Sequence, residues 1–140
     1  MEMNLGLSER VEKLRDRVAE IIREDIMPIE HEYHAEVSKG DRWAFTDRQV
    51  EIMKTLKDKV RAEGLWNFWL TGSDKGFGLT TVEYAYMAEE LGKSPLAAEV
   101  FNCSAPDTGN MEVFERYGTD EMKTRWLAPL LAGDIRSAYV

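Results

Sequence analysis

The sequence has little that would suit an oxidising compartment or a membrane. Its one cysteine, Cys103, cannot form an internal disulfide, which favours a reducing compartment. No apolar run approaches the roughly 20 residues that a membrane-spanning helix needs. Residues 1–17 lack the apolar core of a signal peptide and are too acidic for a typical transit peptide. We therefore expect a cytoplasmic protein without a membrane span.

Basic residues are also scarce relative to acidic ones. The chain carries 18 Lys and Arg against 26 Asp and Glu, a formal net charge of −8. A surface of this sign repels phosphate backbones, so we do not expect nucleic acid as a partner. The 140 residues are 44% hydrophobic, which suits one globular domain with a substantial core and is too apolar for a disordered chain.

The glycine-rich stretch "TGSDKGFGLTT" lacks the spacing of a nucleotide-binding loop. A Walker loop needs a glycine followed by lysine, whereas Lys75 precedes Gly76. In the dinucleotide pattern, Thr81 occupies the position of the third glycine, and no strand leads into the loop. We interpret the stretch as a tight turn before a helix.

Other common catalytic arrangements are missing as well. His31 and His34 are three residues apart, whereas zincins place two histidines four apart on one helical face, so "IEHEYH" is interpreted as a solvated helix end. No spacing brings a histidine near Cys103, which is interpreted as a small buried hydrophobe. The aromatic side chains of Trp66, Phe68 and Trp69 are assigned to packing rather than to ligand stacking. The residues alone predict a domain without a self-contained active site.

What the chain does contain is a series of helix start and stop signals. Capping boxes are predicted at Thr46 with Gln49 and at Thr80 with Glu83. The other expected signals are a cap at Ser8, a kink or end at Pro28, stops at Gly64 and Gly92, a start at Ser94, a helix over 107–117, a start at Thr119, a break at Pro129 and a stop at Gly133.

Periodic apolar residues predict which helix faces are buried. For the helix after Thr46 we expect Val50, Met53, Leu56 and Val60 to face the core. For the helix after Thr80 we expect one buried face, formed by Ala85, Ala88 and Leu91. Only "IRSAYV" at the C-terminus is typical of a strand. The prediction is an all-α fold, an orthogonal or up-and-down bundle of about six helices, with a C-terminal strand stub.

The order of these segments resembles a known family. "KGFGLTTVEYAYMAEELGKS" followed by "APDTGNMEVFERYGTDEMKTRWLAPLLAGDIRSAYV" is similar to the N-terminal helical domain of acyl-CoA dehydrogenases, in the branch that acts on longer or unusual acyl chains. The resemblance is strongest over residues 76–140 and implies that residues 1–134 form this domain. Residues 135–140 would then begin a truncated flavin-binding β-domain.

The resemblance also implies a chemistry. The expected activity is FAD-dependent α,β-dehydrogenation of a fatty acyl-CoA to the 2-enoyl-CoA. The family's catalytic glutamate lies in a C-terminal domain, so we expect no catalytic residue in this chain and no activity from it alone. An electron-transfer flavoprotein or a similar acceptor, and assembly into a homodimer or tetramer, are implied for the full-length protein.

Two groups of site residues follow from the resemblance. Tyr139 matches the first flavin-contacting position, and the segment "FNCSAPD" matches the place where the family closes the acyl pocket. The expected substrate-side residues are Asn102, Cys103, Ser104 and Ala105. Acyl-CoA oxidases and flavin monooxygenases share similar helices, so the reaction of reduced flavin with oxygen stays open. The alternative function is a stand-alone helical interaction module without enzymatic activity.

Overall fold

A computed structural model of the chain describes residues 6–41, 43–71, 73 and 76–140. Within these residues every regular element is helical, and the helices form six continuous segments. In chain order they are α1 (Glu9–Ile21), a first π segment (Ile22–Ile26) and α2 (Met27–Glu36); α3 (Asp47–Ala62); α4 (Thr81–Leu91); α5 (Ala97–Val100); α6 (Asp107–Tyr117); and α7 (Asp120–Met122), a second π segment (Lys123–Leu127) and α8 (Ala128–Ala132). The all-α prediction with about six helices is confirmed.

Pro28, which was expected to kink or end a helix, and Pro129, which was expected to break one, both lie inside continuous helical segments. A π segment precedes each of them, over Ile22–Ile26 before Pro28 and over Lys123–Leu127 before Pro129. Proline lacks the N–H of a regular helical turn, and its ring crowds the carbonyl four residues earlier. The wider π turn provides room at that carbonyl, so each helix continues past its proline.

Most predicted helix starts and stops match the structure, but Ser8 precedes α1 without a side-chain capping bond, because its hydroxyl donates to Glu83 instead. Both capping boxes are present, with the Thr46 and Thr80 side chains each accepting from the backbone N–H three residues on. Thr119 caps α7 in the same way. Gly133 follows α8 with φ of 74°, in the left-handed region where glycine ends helices most readily. The start predicted at Ser94 lies three residues before α5, because the Ser94 side chain first closes a short turn.

Buried apolar side chains of the described residues form one core. Phe68 lies at its centre, with ring centroids 5.5 Å from Phe101 and 6.0 Å from Phe77. Trp69 is buried and Trp66 half-buried, which confirms their assignment to packing. Around this centre α1 packs on α4, α2 on α3, α3 on α5, and α6 on α8.

Two predicted helix faces were partly wrong. On α3, Leu56 and Val60 are buried as expected, but Val50 is 55% exposed and Ile52 is buried instead. On α4, Ala85 and Ala88 are exposed, and the buried face is formed by Met87 and Leu91. Both errors have the same cause: more than one apolar stripe fits a 3.6-residue period, and neighbouring helices select between them.

The glycine-rich stretch behaves as a tight turn where it is described; Gly72, Asp74 and Lys75 lie outside the described residues. A Cβ at Gly76 would lie 2.1 Å from the carbonyl oxygen of Leu70, so the backbone approach excludes any side chain there. The two histidines are exposed on α2, as predicted.

The strand expected at the C-terminus is not confirmed. Residues 135–140 carry no regular secondary structure, and a strand requires a ladder of hydrogen bonds to a neighbour. Side chains of the bundle, chiefly that of Asp107, hold this segment instead. Among the described helices, none is long and apolar enough to cross a bilayer.

Candidate functional site

The C-terminal segment leaves the bundle beside the first turn of α6, where Asp107 holds it. Asp107 is 3% exposed. Its Oδ1 accepts from the backbone N–H of Ser137 at 2.7 Å and from the Ser137 hydroxyl at 2.6 Å, and its Oδ2 accepts from Nε of Arg136. Tyr139, two residues further along, is 86% exposed. The segment is therefore fixed at its base and presents an aromatic ring to solvent.

The contacts of Asp107 with Arg136 and Ser137, called the anchor below, favour the ionised form of Asp107. Burial by itself would raise the pKa of the carboxyl, but hydrogen bonds from Ser137 and Arg136 outweigh it and hold the pKa below its ordinary value. Arg136 also forms an ion pair with Glu99 of α5, and Glu99 in turn pairs with Lys57 of α3. The anchor thus connects the segment to three helices.

The end of α8 is held by a second group of side chains. The last carbonyls of a helix lack intrahelical partners. Here Nδ2 of Asn67 and Nε1 of Trp66 both donate to the carbonyl of Leu131, at 2.7 Å and 2.8 Å. Nη2 of Arg61 donates to the carbonyl of Ala132 at 2.6 Å, and its guanidinium lies 4.0 Å from the centre of the Trp66 ring. These contacts fix the direction in which the chain leaves α8.

Asn102, one of the predicted substrate-side residues, belongs to this second group. Its Nδ2 donates to Oδ1 of Asn67 at 2.6 Å and to the carbonyl of Leu130 at 3.1 Å. Both asparagines are buried and adopt positive φ, 62° at Asn67 and 55° at Asn102. The amide group of Asn102 is therefore engaged in contacts within the domain.

The other three predicted substrate-side residues differ in access. Cys103 is 7% exposed, as its interpretation as a small buried hydrophobe required. Burial raises the pKa of its thiol, and the nearby amides of Trp69 and Phe68 offset only part of that effect. Ser104 is half-buried and Ala105 is exposed.

The structure brings the two predicted groups to one end of the bundle. Asp107 follows Ala105 by two residues, and Ser137, which it binds, precedes Tyr139 by two residues. The segment matched to the acyl pocket and the residue matched to the flavin are thus connected through the hydrogen bonds of Asp107 to Arg136 and Ser137.

Asp107 and Arg136 are residues of the candidate site that carry no distinguishing signal in the sequence. An acidic residue in the first turn of a helix is common for its effect on the dipole, so the sequence offers no reason to single out Asp107. Its burial and its partner 29 residues away become visible only in the folded chain.

A cleft of about 350 Å³ runs beside the anchored segment. Its walls are mostly apolar and come from α6, the helix ending in α8, and the segment itself. The lining residues include Val113, Phe114, Trp126, Leu130, Ile135 and Ala138. In the described residues, no group of three or more His, Cys, Asp or Glu side chains is arranged to hold a metal ion.

Comparison with known proteins agrees with this architecture. The sequence model of the family described as "Acyl-CoA dehydrogenase, N-terminal domain" matches residues 8–134. The chain is 48% identical over 139 residues to mouse (Mus musculus) acyl-CoA dehydrogenase family member 10, covering 96% of this chain and 13% of that protein. It is 37% identical over 141 residues to the probable acyl-CoA dehydrogenase FadE2 of Mycobacterium tuberculosis, covering 98% of this chain and 33% of that protein.

A solved structure shares the fold. It is described as a putative acyl-CoA dehydrogenase from Mycobacterium abscessus and matches with a TM-score of 0.77 at 42% identity, over 94% of this chain and 33% of that one. The chain therefore belongs to the acyl-CoA dehydrogenase family and corresponds to its N-terminal domain. It spans a third or less of the length of these three relatives.

Proposed function

We propose that this chain acts as the N-terminal domain of an FAD-dependent acyl-CoA dehydrogenase, which converts a fatty acyl-CoA to the 2-enoyl-CoA. In this proposal residues 1–134 form the helical domain and residues 135–140 lead into a flavin-binding β-domain. The observation that carries it is the combination of the family match over residues 8–134 with an exposed Tyr139 on an anchored segment at the end of that domain. The chain alone would be inactive, because the catalytic glutamate of the family would lie in a C-terminal domain outside residues 1–140.

Tyr139 is suited to contact a flavin. An exposed aromatic ring on a fixed backbone packs on a flat heterocycle at little cost in conformational entropy. FAD, when bound, would supply the acceptor for the hydride that leaves the β-carbon of the acyl group. The part of Tyr139 would be to hold the cofactor against the end of the helical domain and to exclude water from it.

Residues 102–105 would form a wall of the acyl pocket. The backbone there is fixed by the hydrogen bonds of Asn102, and the side chains that remain accessible are those of Ser104 and Ala105. Such a wall would stop the far end of an acyl chain by steric contact alone, with no polar bond to the acyl chain. These residues would thus influence chain-length preference rather than the chemical step.

The remaining expectations concern partners and location. We expect an electron-transfer flavoprotein or similar acceptor, assembly into a homodimer or tetramer, and a cytoplasmic location. A second candidate function is a helical interaction module without enzymatic activity. It draws support from Phe45 and Val50, which are 73% and 55% exposed beside a cleft of about 460 Å³ between α3 and residues 133–136.

The decisive experiment uses the complete gene product that contains residues 1–140. The purified protein is examined for flavin absorbance and incubated with saturated acyl-CoAs of increasing length, and the products are analysed for 2-enoyl-CoA. We expect bound FAD and product formation. A complete protein without flavin that dehydrogenates no acyl-CoA would refute the proposal and favour the interaction module.

Two variants test the assigned residues. Tyr139→Ala should weaken FAD retention, whereas Tyr117→Ala, which removes a ring that is 80% exposed on α6, should leave it unchanged. Ala105→Leu should lower kcat/KM for the longest acyl-CoAs and spare short ones, with Ala62→Leu on the exposed face of α3 as the control. Equal behaviour of each variant and its control would remove these residues from the site.

A further inference from the structure

Asp107 makes contacts that the start of a helix does not require. An aspartate in a first turn ordinarily lies in solvent and acts through the helix dipole. Asp120, the first residue of α7, is such a case and is exposed. Asp107 is the first residue of α6 but is buried, and both of its oxygens accept hydrogen bonds from residues 136 and 137 rather than from its own helix.

The same two residues are also held from other directions. Nδ2 of Asn110 donates to the Ser137 hydroxyl at 2.8 Å, and Glu99 pairs with the guanidinium of Arg136. Extended backbone advances about 3.3 Å per residue, so Tyr139 lies within about 7 Å of Ser137 along the chain. Nδ2 of Asn110 also donates to the carbonyl of Ala138 at 3.5 Å, so the backbone of the segment is held up to the residue before Tyr139.

We propose that Asp107 is a positioning residue: by clamping Arg136 and Ser137 it fixes the direction in which Tyr139 is presented to the cofactor. This inference rests on the proposed function and deepens it, because it makes cofactor affinity depend on a carboxylate that does not touch the cofactor. Removing the clamp leaves the helices in place and lets the segment that carries Tyr139 move.

The clamp itself is tested in the 140-residue chain. The variants are Asp107→Ala, the isosteric Asp107→Asn, and Asp120→Asn as the control for a helix-terminal charge. The readouts are hydrogen exchange at the Ser137 amide and the rate of tryptic cleavage after Arg136, both of which follow the population of the locally opened segment. Far-UV circular dichroism checks that the helices persist.

Asp107→Ala should accelerate both rates about tenfold or more, because it removes three hydrogen bonds to an ionised group. Asp107→Asn should have a smaller effect, since its amide oxygen still accepts from Ser137, and Asp120→Asn should have none. Rates for Asp107→Ala that equal those of the unaltered chain would overturn the clamp, whatever the protein binds.

The consequence for the cofactor is tested in the complete gene product. We expect the dissociation constant of FAD to rise about tenfold in Asp107→Ala, with a smaller rise in Asp107→Asn and an unchanged KM for acyl-CoA at saturating FAD. A freed segment with unchanged FAD affinity would overturn the positioning role alone. Absence of flavin from the unaltered protein would overturn the proposed function and, with it, the effect of Asp107 on FAD affinity. This outcome is distinct from unchanged opening rates in Asp107→Ala and from a freed segment with unchanged FAD affinity.

Discussion

Replacement of Gly133 by alanine should lower the free energy of unfolding by more than the cost of placing an alanine in the left-handed region. Gly133 ends α8 at φ of 74°, and a Cβ built there lies 2.8 Å from Cζ2 of Trp66 and 2.9 Å from Nη2 of Arg61. Both side chains are committed, since each donates a hydrogen bond to a terminal carbonyl of α8. The methyl group therefore competes with the contacts that direct the chain out of the helix.

The expected magnitude comes from two parts. A left-handed alanine costs roughly 1–2 kcal/mol relative to glycine. Displacing the guanidinium of Arg61 forfeits a charge-assisted hydrogen bond, worth about 1.5 kcal/mol or more, and a stacking contact on Trp66 worth about 0.5–1 kcal/mol. We expect a loss of about 3–4.5 kcal/mol in the free energy of unfolding for Gly133→Ala.

Gly64→Ala is the matched control. Gly64 follows α3 at φ of 71°, but a Cβ there meets nothing within 4 Å, so only the conformational part applies, about 1–2 kcal/mol. Urea denaturation followed by tryptophan fluorescence gives both values, and an unchanged m-value shows that the denatured states are comparable. Equal losses for the two variants would refute the conclusion that Gly133 is restricted by Arg61 and Trp66.

Three further predictions follow from the same contacts. The pKa of Asp107 is held below its ordinary value in the folded chain, so the ionised carboxylate stabilises the fold above about pH 4. This stabilisation is lost as the pH falls through the folded-state pKa of Asp107, and the Tm of Asp107→Asn should therefore fall less steeply in acid than the Tm of the unaltered chain. Burial and the raised pKa of Cys103 predict almost no reaction with a thiol reagent at pH 8 until denaturant is added, and rapid native labelling would contradict this. Thr80→Ala removes the side chain that caps α4 and should cost about 1 kcal/mol by urea denaturation, while a loss near zero would show that the cap is dispensable.

Helix boundaries were predictable from the sequence because their causes are local. Thr46 and Thr80 each need only a partner three residues away, and that partner is visible in the sequence. Gly133 likewise signals a stop by its own conformational freedom. The effect of Pro28 and Pro129 on their helices was predicted less accurately. A π segment that lets a helix continue past a proline has no comparable signal in the sequence.

Features that depend on distant residues were not predictable in the same way. The choice between Val50 and Ile52 as a buried residue of α3 depends on which neighbours pack there. Asn102 could be placed near a candidate site by family resemblance, but its engagement with Asn67 requires two loops to meet. Asp107 shows this most clearly, because an ordinary helix-terminal acid acquires its role only when residues 136 and 137 reach it.

The central claim, that the domain belongs to a working flavin-dependent dehydrogenase, is tested most directly by titrating the complete gene product with saturated acyl-CoA in the absence of oxygen. We predict that the visible absorbance of the flavin falls on addition of a suitable acyl-CoA, with one 2-enoyl-CoA formed for each flavin that loses its absorbance. A colourless protein, or a flavin spectrum that no acyl-CoA alters, would contradict the claim.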